Sequence, residues 1–481
     1  MKSNISKRVS LVLALLVAGV TPAWAQDSEL DQLKSQMKAM EQTMEQMKQK
    51  ITDLEKEKAA APAAPATNAA AGSASVLSIE KVAGGGMIGN QTPVTDRGAL
   101  NDQQEGAPRR KDYTLDPTYR GFIPVPNTPV LVKFNAKPRV DVTSDSRNSG
   151  NSDRFVPAQI PVEGQPGFGG SEQFNINARG SSLSVDVRAP DMPGDLRFYY
   201  NNDFFGGGNS GGMQFRIKQL YGQFFNVTAG FTYSCFEDPD AWPDTVDFEG
   251  PNAVIFARRP LVRYMLPLSE NWQLNFGVEA PGAEVDSSIT TNSVSAVNRA
   301  PDGTMNVRWE SSKWGHIQLG GVVRDIGAKG TDVGNQSVFG WGLNLASSIN
   351  VGKRDSIQAQ VTYGEGIFRY FNDDFQNNDA AYDSAGNLKA LPAFGVTAGY
   401  THHWSDAWRS TVTYGYVNID NEVSQGPDAY HRTHYASLNL VWQLRKRLSV
   451  GLEGLYGKKE VQSGSTGDVW RVQMGLVYSL F

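Results

Sequence analysis

In the stretch NWQLNFGVEA, Trp272, Leu274, Phe276 and Val278 take one parity, and Gln273, Asn275, Gly277 and Glu279 the other. Successive side chains of a strand point to opposite faces, so this period of two predicts a strand with one apolar and one polar face. The same alternation recurs in DLRFYY, SVFGWGLNLAS, SIQAQVTYG, YASLNLVWQ and the terminal DVWRVQMGLVYSLF. Sixteen strands are expected, centred near 136, 180, 199, 220, 232, 259, 275, 307, 319, 342, 359, 397, 412, 436, 452 and 474.

The connections sort by side. Those after even-numbered strands are short and turn-like (APDMPG, LPLSEN, ESSKW, NVGKRD, HWSDA, LRKR), whereas several after odd-numbered strands are long, notably 144 to 171, 282 to 302 and 367 to 390. Segregation of loop length by side is the pattern of an antiparallel transmembrane β-barrel with periplasmic termini, and a soluble sandwich has no reason to produce it. Trp272, Trp314, Trp404, Trp408 and Trp442 cluster at the short-turn ends, where an interfacial aromatic girdle would sit. The fold class expected is all-β, a sixteen-stranded barrel over 128–481. Its last strand would pair with its first and end in Phe481, a terminal aromatic of the kind read by the outer-membrane assembly machinery. Because Tyr478 rather than Ser479 carries the preceding aromatic, a bulge near that end or a locally shifted register is expected.

The N-terminal region reads differently. Basic Lys2, Lys7 and Arg8, an apolar VSLVLALLVAGV and the A-x-A site at Ala23–Ala25 predict a secretory signal peptide over 1–25. Over 26–58, Leu30, Met37, Met44 and Ile51 fall at heptad position a and Leu33, Met40, Met47 and Leu54 at d, predicting a periplasmic coiled coil and hence a homo-oligomer. An Ala/Pro-rich linker and irregular lead-in fill 59–127.

Composition narrows the function. A mean hydropathy of -0.39 excludes a helical membrane protein, and the net charge of -5 with no basic binding motif excludes nucleic acid as a partner. None of the five histidines stands in an H-E-x-x-H motif, the single Cys235 has no catalytic signature around it, and no metal, cofactor or enzymatic site is expected. NDDFQNNDAAYDSAGN lacks calcium-loop spacing and reads as a solvated surface loop.

If the apolar parity faces lipid, the other parity lines a lumen. It includes Lys133, Lys137, Arg139, Arg197, Arg259, Arg263 and Arg308, with Arg324, Arg409 and Arg471 by the same rule. This basic lining predicts a pore that attracts small anionic solutes. The acidic stretch after the fifth strand, carrying Glu237, Asp238, Asp240, Asp244, Asp247 and Glu249, is expected to fold inward as a constriction and to set its acids against Arg259 and Arg263.

The run FTYSCFEDPDAWPDTVDFEGPNAVIFARRPLVRY, with RGFIPVPNTPVLVKF before the first strand and GDLRFYYNNDFFGG at the third, resembles the DcaP-like trimeric outer-membrane porins. The resemblance implies three barrels per assembly among outer-membrane lipids, with periplasmic coiled coils, passing small negatively charged solutes such as dicarboxylates. Two other readings fit the pattern. A sugar-preferring porin would need a ladder of inward aromatics, for which Tyr199 is one candidate, and an outer-membrane anchor would use the coiled coil to tether a periplasmic partner.

Overall fold

The computed structural model describes residues 122–189, 196–207, 212–290, 292–373 and 378–480. The leader, the heptads from Leu30 to Leu54, most of the linker and Phe481 lie outside the described residues. Long strands follow one another as β1 (Leu131–Lys137, resuming after Pro138 as Arg139–Asp145), β2 (Gln173–Asn177, resuming as Ser182–Ala189), β3 (Leu196–Asp203), β4 (Arg216–Phe224), β5 (Val227–Tyr233) and β6 (Arg258–Pro267). They continue as β7 (Trp272–Glu279), β8 (Asp302–Ser311), β9 (Gly315–Gly330), β10 (Gly334–Val351) and β11 (Asp355–Glu365). The last five are β12 (Pro392–His403), β13 (Trp408–Ile419), β14 (Tyr430–Arg445), β15 (Leu448–Val461) and β16 (Thr466–Tyr478).

Each strand pairs antiparallel with its neighbours in sequence, and β16 pairs with β1, from Arg471 opposite Asp145 to Val477 opposite Arg139. Pro138 has no N–H to give a ladder, and β1 changes its pairing there: the half before it lies between β2 and the short Ile123–Pro124 segment, while the half after it faces both β16 and β2. Of the expected centres, only 180 misses a strand. It falls on a bend in β2, where a Cβ on Gly180 would meet Arg139 Cδ at 2.8 Å and Phe248 at 3.0 Å. The bulge expected near the terminus is absent: β16 keeps one register through Tyr478, and the nearby shift lies in β14 between Gln443 and Arg445. An unbroken ladder simply carries Tyr478 on the same outward parity as Leu476 and Trp470.

Burial inverts the order of a water-soluble protein. Outward side chains are apolar, with Phe276 47% and Leu345 50% exposed, whereas Gln360 and Glu453 on the opposite face are each 1% exposed. Water beside the apolar face would make such an arrangement costly, at about 25 cal/mol per Å² of apolar surface; hydrocarbon there removes the cost. The short turns, such as Phe225–Asn226 and Arg447 with its neighbour, gather at the end that carries exposed Trp272, Trp314, Trp404, Trp408 and Trp442. Trp408 and Trp442 stack there at 5.1 Å across the β13–β14 pair. Among the described residues no helix is long and apolar enough to cross a membrane.

Candidate functional site

Three segments pack on the polar face; that between β1 and β2 sets Phe155 and Ile160 against Tyr435, Leu455 and Val469, and two further loops define the rest of the interior. The first, 234–257, leaves β5 and touches strands all round the ring. Asp238 and Asp240 meet Arg308 of β8 at 3.1 and 2.9 Å, the Phe236 carbonyl accepts from Asn344 of β10, and the Ile255 N–H donates to Gln360 of β11. Asp244 meets Arg409 of β13 at 2.5 Å, the Asp247 N–H donates to Glu453 of β15 at 2.6 Å, and Val246 accepts from Arg139 of β1. The second loop, 366–391, runs beside the first through the Phe256 N–H to the Tyr370 carbonyl and the Asn372 N–H to the Val254 carbonyl. Phe236, Ile255, Ile367, Phe368 and Phe371 pack where the loops meet.

Glycines on the polar parity leave the space this requires. A Cβ on Gly399 of β12 would lie 2.6 Å from Pro243, and one on Gly415 of β13 would lie 2.2 Å from Asn252 Oδ1. Any larger side chain at either position would push the first loop off the wall.

The expected constriction acids are all brought inside, but their partners differ from expectation. Asp238 accepts from His316 at 2.8 Å as well as from Arg308; burial alone would raise its carboxyl, yet these two partners hold it below the usual range. Glu249 pairs with Arg154 at 3.0 Å. Glu237 accepts only the Ala257 N–H in ordinary geometry, and burial pushes its carboxyl well up. Burial likewise pushes Asp247 up to about 7, although Arg471 and the N–H groups of Glu249 and Gly250 oppose the shift. None of these acids forms an ion pair with Arg259 or Arg263. The loop crosses the interior away from β6, so its acids reach β8, β13 and, in the segment between β1 and β2, Arg154 instead.

Most inward arginines are neutralised at the wall. Arg139 holds Asp141 at 2.7 and 2.8 Å, Arg197 holds Asp186 at 3.0 Å, Arg471 holds Asp145 at 2.5 Å, and Arg324 bridges Asp302 and Asp379 at 3.1 Å each. Lys133 lies on the inner parity opposite Asp186, and Lys137 is buried beside Pro138. A buried charge is costly unless paired, and these pairs remove that cost without leaving an open positive face. Arg259 and Arg263 are the exceptions among the expected residues. Arg259 reaches the Arg369 carbonyl at 3.3 Å and lies 4.7 Å over the Tyr370 ring; Arg263 reaches the Tyr233 carbonyl, at 3.5 Å, and the Cys235 thiol. Neither has an acid within ion-pair distance among the described residues, and each leaves buried guanidinium nitrogens without a hydrogen-bond partner.

Two further arginines share this condition. Arg258 stacks 4.8 Å from the Phe256 ring and Arg369 rises from the second loop, both again with unpartnered nitrogens and no ion pair among the described residues, although Asp203 and Glu237 lie near enough to act on Arg258 by charge. Arg258 stands on the outward parity of β6 but at its very first residue, opposite Tyr233, where β5 ends and the wall gives way to loop. The run FARRPLVRY was the available signal for it; nothing local marks Arg369. The solvated-loop reading of 372–387 is also corrected. Asp373 accepts from the Ala158 N–H and from Tyr430, and Asp379 takes Arg324 and the Arg369 N–H, so among the described residues of this stretch only 383–387 faces water. Cys235 is buried, which pushes its thiol up to about 11, and no metal-holding cluster occurs among the described residues.

Comparison with known proteins places this architecture. The fold is similar to the crystal structure of the outer membrane channel DcaP of Acinetobacter baumannii, with a TM-score of 0.65 and 20% identity over 74% of this chain and 99% of that one. It is also similar to an anion-selective porin from Comamonas acidovorans, with a TM-score of 0.50 and 12% identity over 73% of this chain and 100% of that one. No curated protein matches the sequence. Residues 93–480 match the model of the DcaP outer membrane protein family, most of the chain's length, and the chain therefore belongs to that family of outer membrane proteins.

Proposed function

We propose that the chain forms a closed sixteen-stranded barrel in the outer membrane, three copies per assembly, whose water-filled interior passes small anions, dicarboxylates among them. The observation that carries this reading is the group of four arginines, Arg258, Arg259, Arg263 and Arg369, that form no ion pair among the described residues while their neighbours on the wall do. An unpaired guanidinium beside a narrow aqueous path concentrates anions, and its planar fork suits a carboxylate at two points. The four heptads support the oligomer, since their a/d seam needs other chains to cover it. Phe481 fits recognition by the assembly machinery.

The test is the reversal potential of the purified protein in a planar bilayer under a salt gradient, repeated with a small dicarboxylate. Anion selectivity and dicarboxylate block are expected. Arg259→Ala should lower the anion-to-cation permeability ratio about fivefold, the equivalent of roughly 1 kcal/mol for one charge about 8 Å from the path at an effective dielectric near 40. Cation selectivity would sink the reading.

A further inference from the structure

The short turns differ in charge around the ring. Those after β4 and β6, Phe225–Asn226 and 268–271, carry Glu270 alone. Those after β8, β10 and β14 carry Lys313, Lys353 with Arg354, and Arg445 with Lys446 and Arg447, all exposed. These turns are joined side by side, with the one between β12 and β13 among them. The Asn350 N–H donates to the Trp314 carbonyl at 3.0 Å, Arg354 pairs with Asp406, and the Gln443 N–H donates to the Ala407 carbonyl at 2.8 Å. The result is a basic half-rim from β8 to β15. Its acids are already occupied: Arg308 takes Glu310 at 3.4 Å, and Tyr400, His402 and the His403 N–H take Asp355. The exposed pair of Arg354 with Asp406 is of the kind that contributes little. Arg445 and Arg447 donate to the Leu444 and Leu480 carbonyls, and among the described residues neither they nor Lys313, Lys353 and Lys446 form an ion pair.

Height decides what these cations meet. Trp314, Trp404, Trp408 and Trp442 are exposed beside them, and such a belt marks the edge of the hydrocarbon. Arg445 stands three residues beyond Trp442 in sequence; at about 3.3 Å per residue and a tilt of about 45°, that is about 7 Å further out. The headgroup layer on one side of a bilayer is about 5–7 Å thick, so the half-rim is level with the lipid phosphates. In a zwitterionic headgroup an ammonium offsets the phosphate, whereas an anionic headgroup leaves net negative charge for a basic cluster, and a guanidinium can take two phosphate oxygens at once. We propose that the half-rim from β8 to β15 binds the headgroups of anionic phospholipids in the leaflet at the short-turn end, with Arg445, Lys446 and Arg447 as its densest part. The inference rests on the barrel reading above and adds which lipids the wall selects.

Because the one native cysteine, Cys235, is buried, single cysteines on the turns can carry a fluorophore in the full chain. Ala407→Cys lies within the half-rim, and Leu268→Cys lies on the turn after β6. Each would be placed in phosphatidylcholine vesicles holding a minor fraction of phosphatidylglycerol or of phosphatidylcholine that bears a nitroxide near the headgroup end of one acyl chain. Quenching then reports the local concentration of the labelled lipid. At Ala407→Cys phosphatidylglycerol should be enriched over phosphatidylcholine about fivefold, the effect of roughly one net cation at an anionic-lipid surface, and at Leu268→Cys the two should quench alike. The enrichment should vanish at 1 M salt, where the screening length is about 3 Å, and when Arg445, Lys446 and Arg447 are changed together to Gln. Since Arg447 also holds the Leu480 carbonyl near the chain's end, Lys353→Gln combined with Lys446→Gln serves as a second variant, and should lower the enrichment while the barrel keeps its folded gel mobility. Equal quenching by the two lipids at Ala407→Cys would overturn the proposal, as would an enrichment that both charge variants keep. Equal quenching in a channel that stays anion-selective in phosphatidylcholine would sink this inference and leave the channel reading standing.

Discussion

Arg308 of β8 holds Asp238 and Asp240 together, and His316 holds Asp238 from the next strand, so the start of the first loop is fixed by charge. Removing one partner of a buried ionic group costs roughly 3–5 kcal/mol because the remaining charges stay desolvated. Arg308→Ala should therefore lower the urea midpoint of barrel unfolding and raise open-channel noise as the loop loosens, whereas Arg308→Lys should restore part of both; an unchanged midpoint would mean the acids find water. Asp247 behaves oppositely with pH. Burial, with Glu249 adding to it, raises this carboxyl to about 7 from its usual value near 4, so the seated loop binds a proton that the released loop gives up. Its contribution to seating is full below about pH 4, falls as pH rises towards 7, and is gone above that. Loop closures resolved in single-channel records should thus be more persistent at pH 5 than at pH 8, and Asp247→Asn should flatten that difference. Which acids meet which bases was not readable beforehand. Asp373 and Asp379 looked solvated because Thr433 and Arg324, their partners, lie far off in sequence.

At the scale of elements, period-two alternation was legible because lipid on one face and polar packing on the other make the two parities chemically opposite. Strand positions near 199, 275 and 452 could be read from side chains alone. The bend at 180 could not, since it depends on Arg139 and Phe248 arriving from β1 and the first loop. The path of that loop was half legible: the acids marked it, while the glycines on the polar parity that let it approach were read as ordinary strand residues. Those glycines carry a prediction. Gly399→Val would place its side chain into Pro243, and overpacking of this kind costs typically about 1–3 kcal/mol. The loop should give before the strand does, so single-channel conductance should change while the folded mobility of the barrel persists. Gly454→Ala, where a Cβ meets nothing within 4 Å, should leave conductance as it was. A similar change from both would detach the loop from the effect.

Seen whole, the molecule carries a net charge of -5 yet, among the described residues, holds arginines inside that form no ion pair. The two facts belong to different distances. Surface charge is spread over the loops and turns in bulk water, where ions screen it beyond about 10 Å at 0.1 M salt, so it does not decide what enters. The four unpaired arginines sit behind protein walls that confine field lines to the aqueous path, and an ion passing there feels them at a few ångströms. This separation predicts how selectivity depends on salt. At 0.01 M, with a Debye length of about 30 Å, surface acids should repel anions at the mouth and offset part of the interior preference; at 0.1 M that opposition should be screened away while the interior field persists. At 1 M, with a length near 3 Å, the interior field should fade as well and the permeability ratio should approach that of the free ions. The anion-to-cation permeability ratio should therefore be highest at intermediate salt, with Arg259→Ala lowering the peak. A ratio that fell steadily from the lowest salt would assign selectivity to a uniformly positive interior whose reach exceeds the surface charge, and a ratio independent of salt would leave only size as the filter.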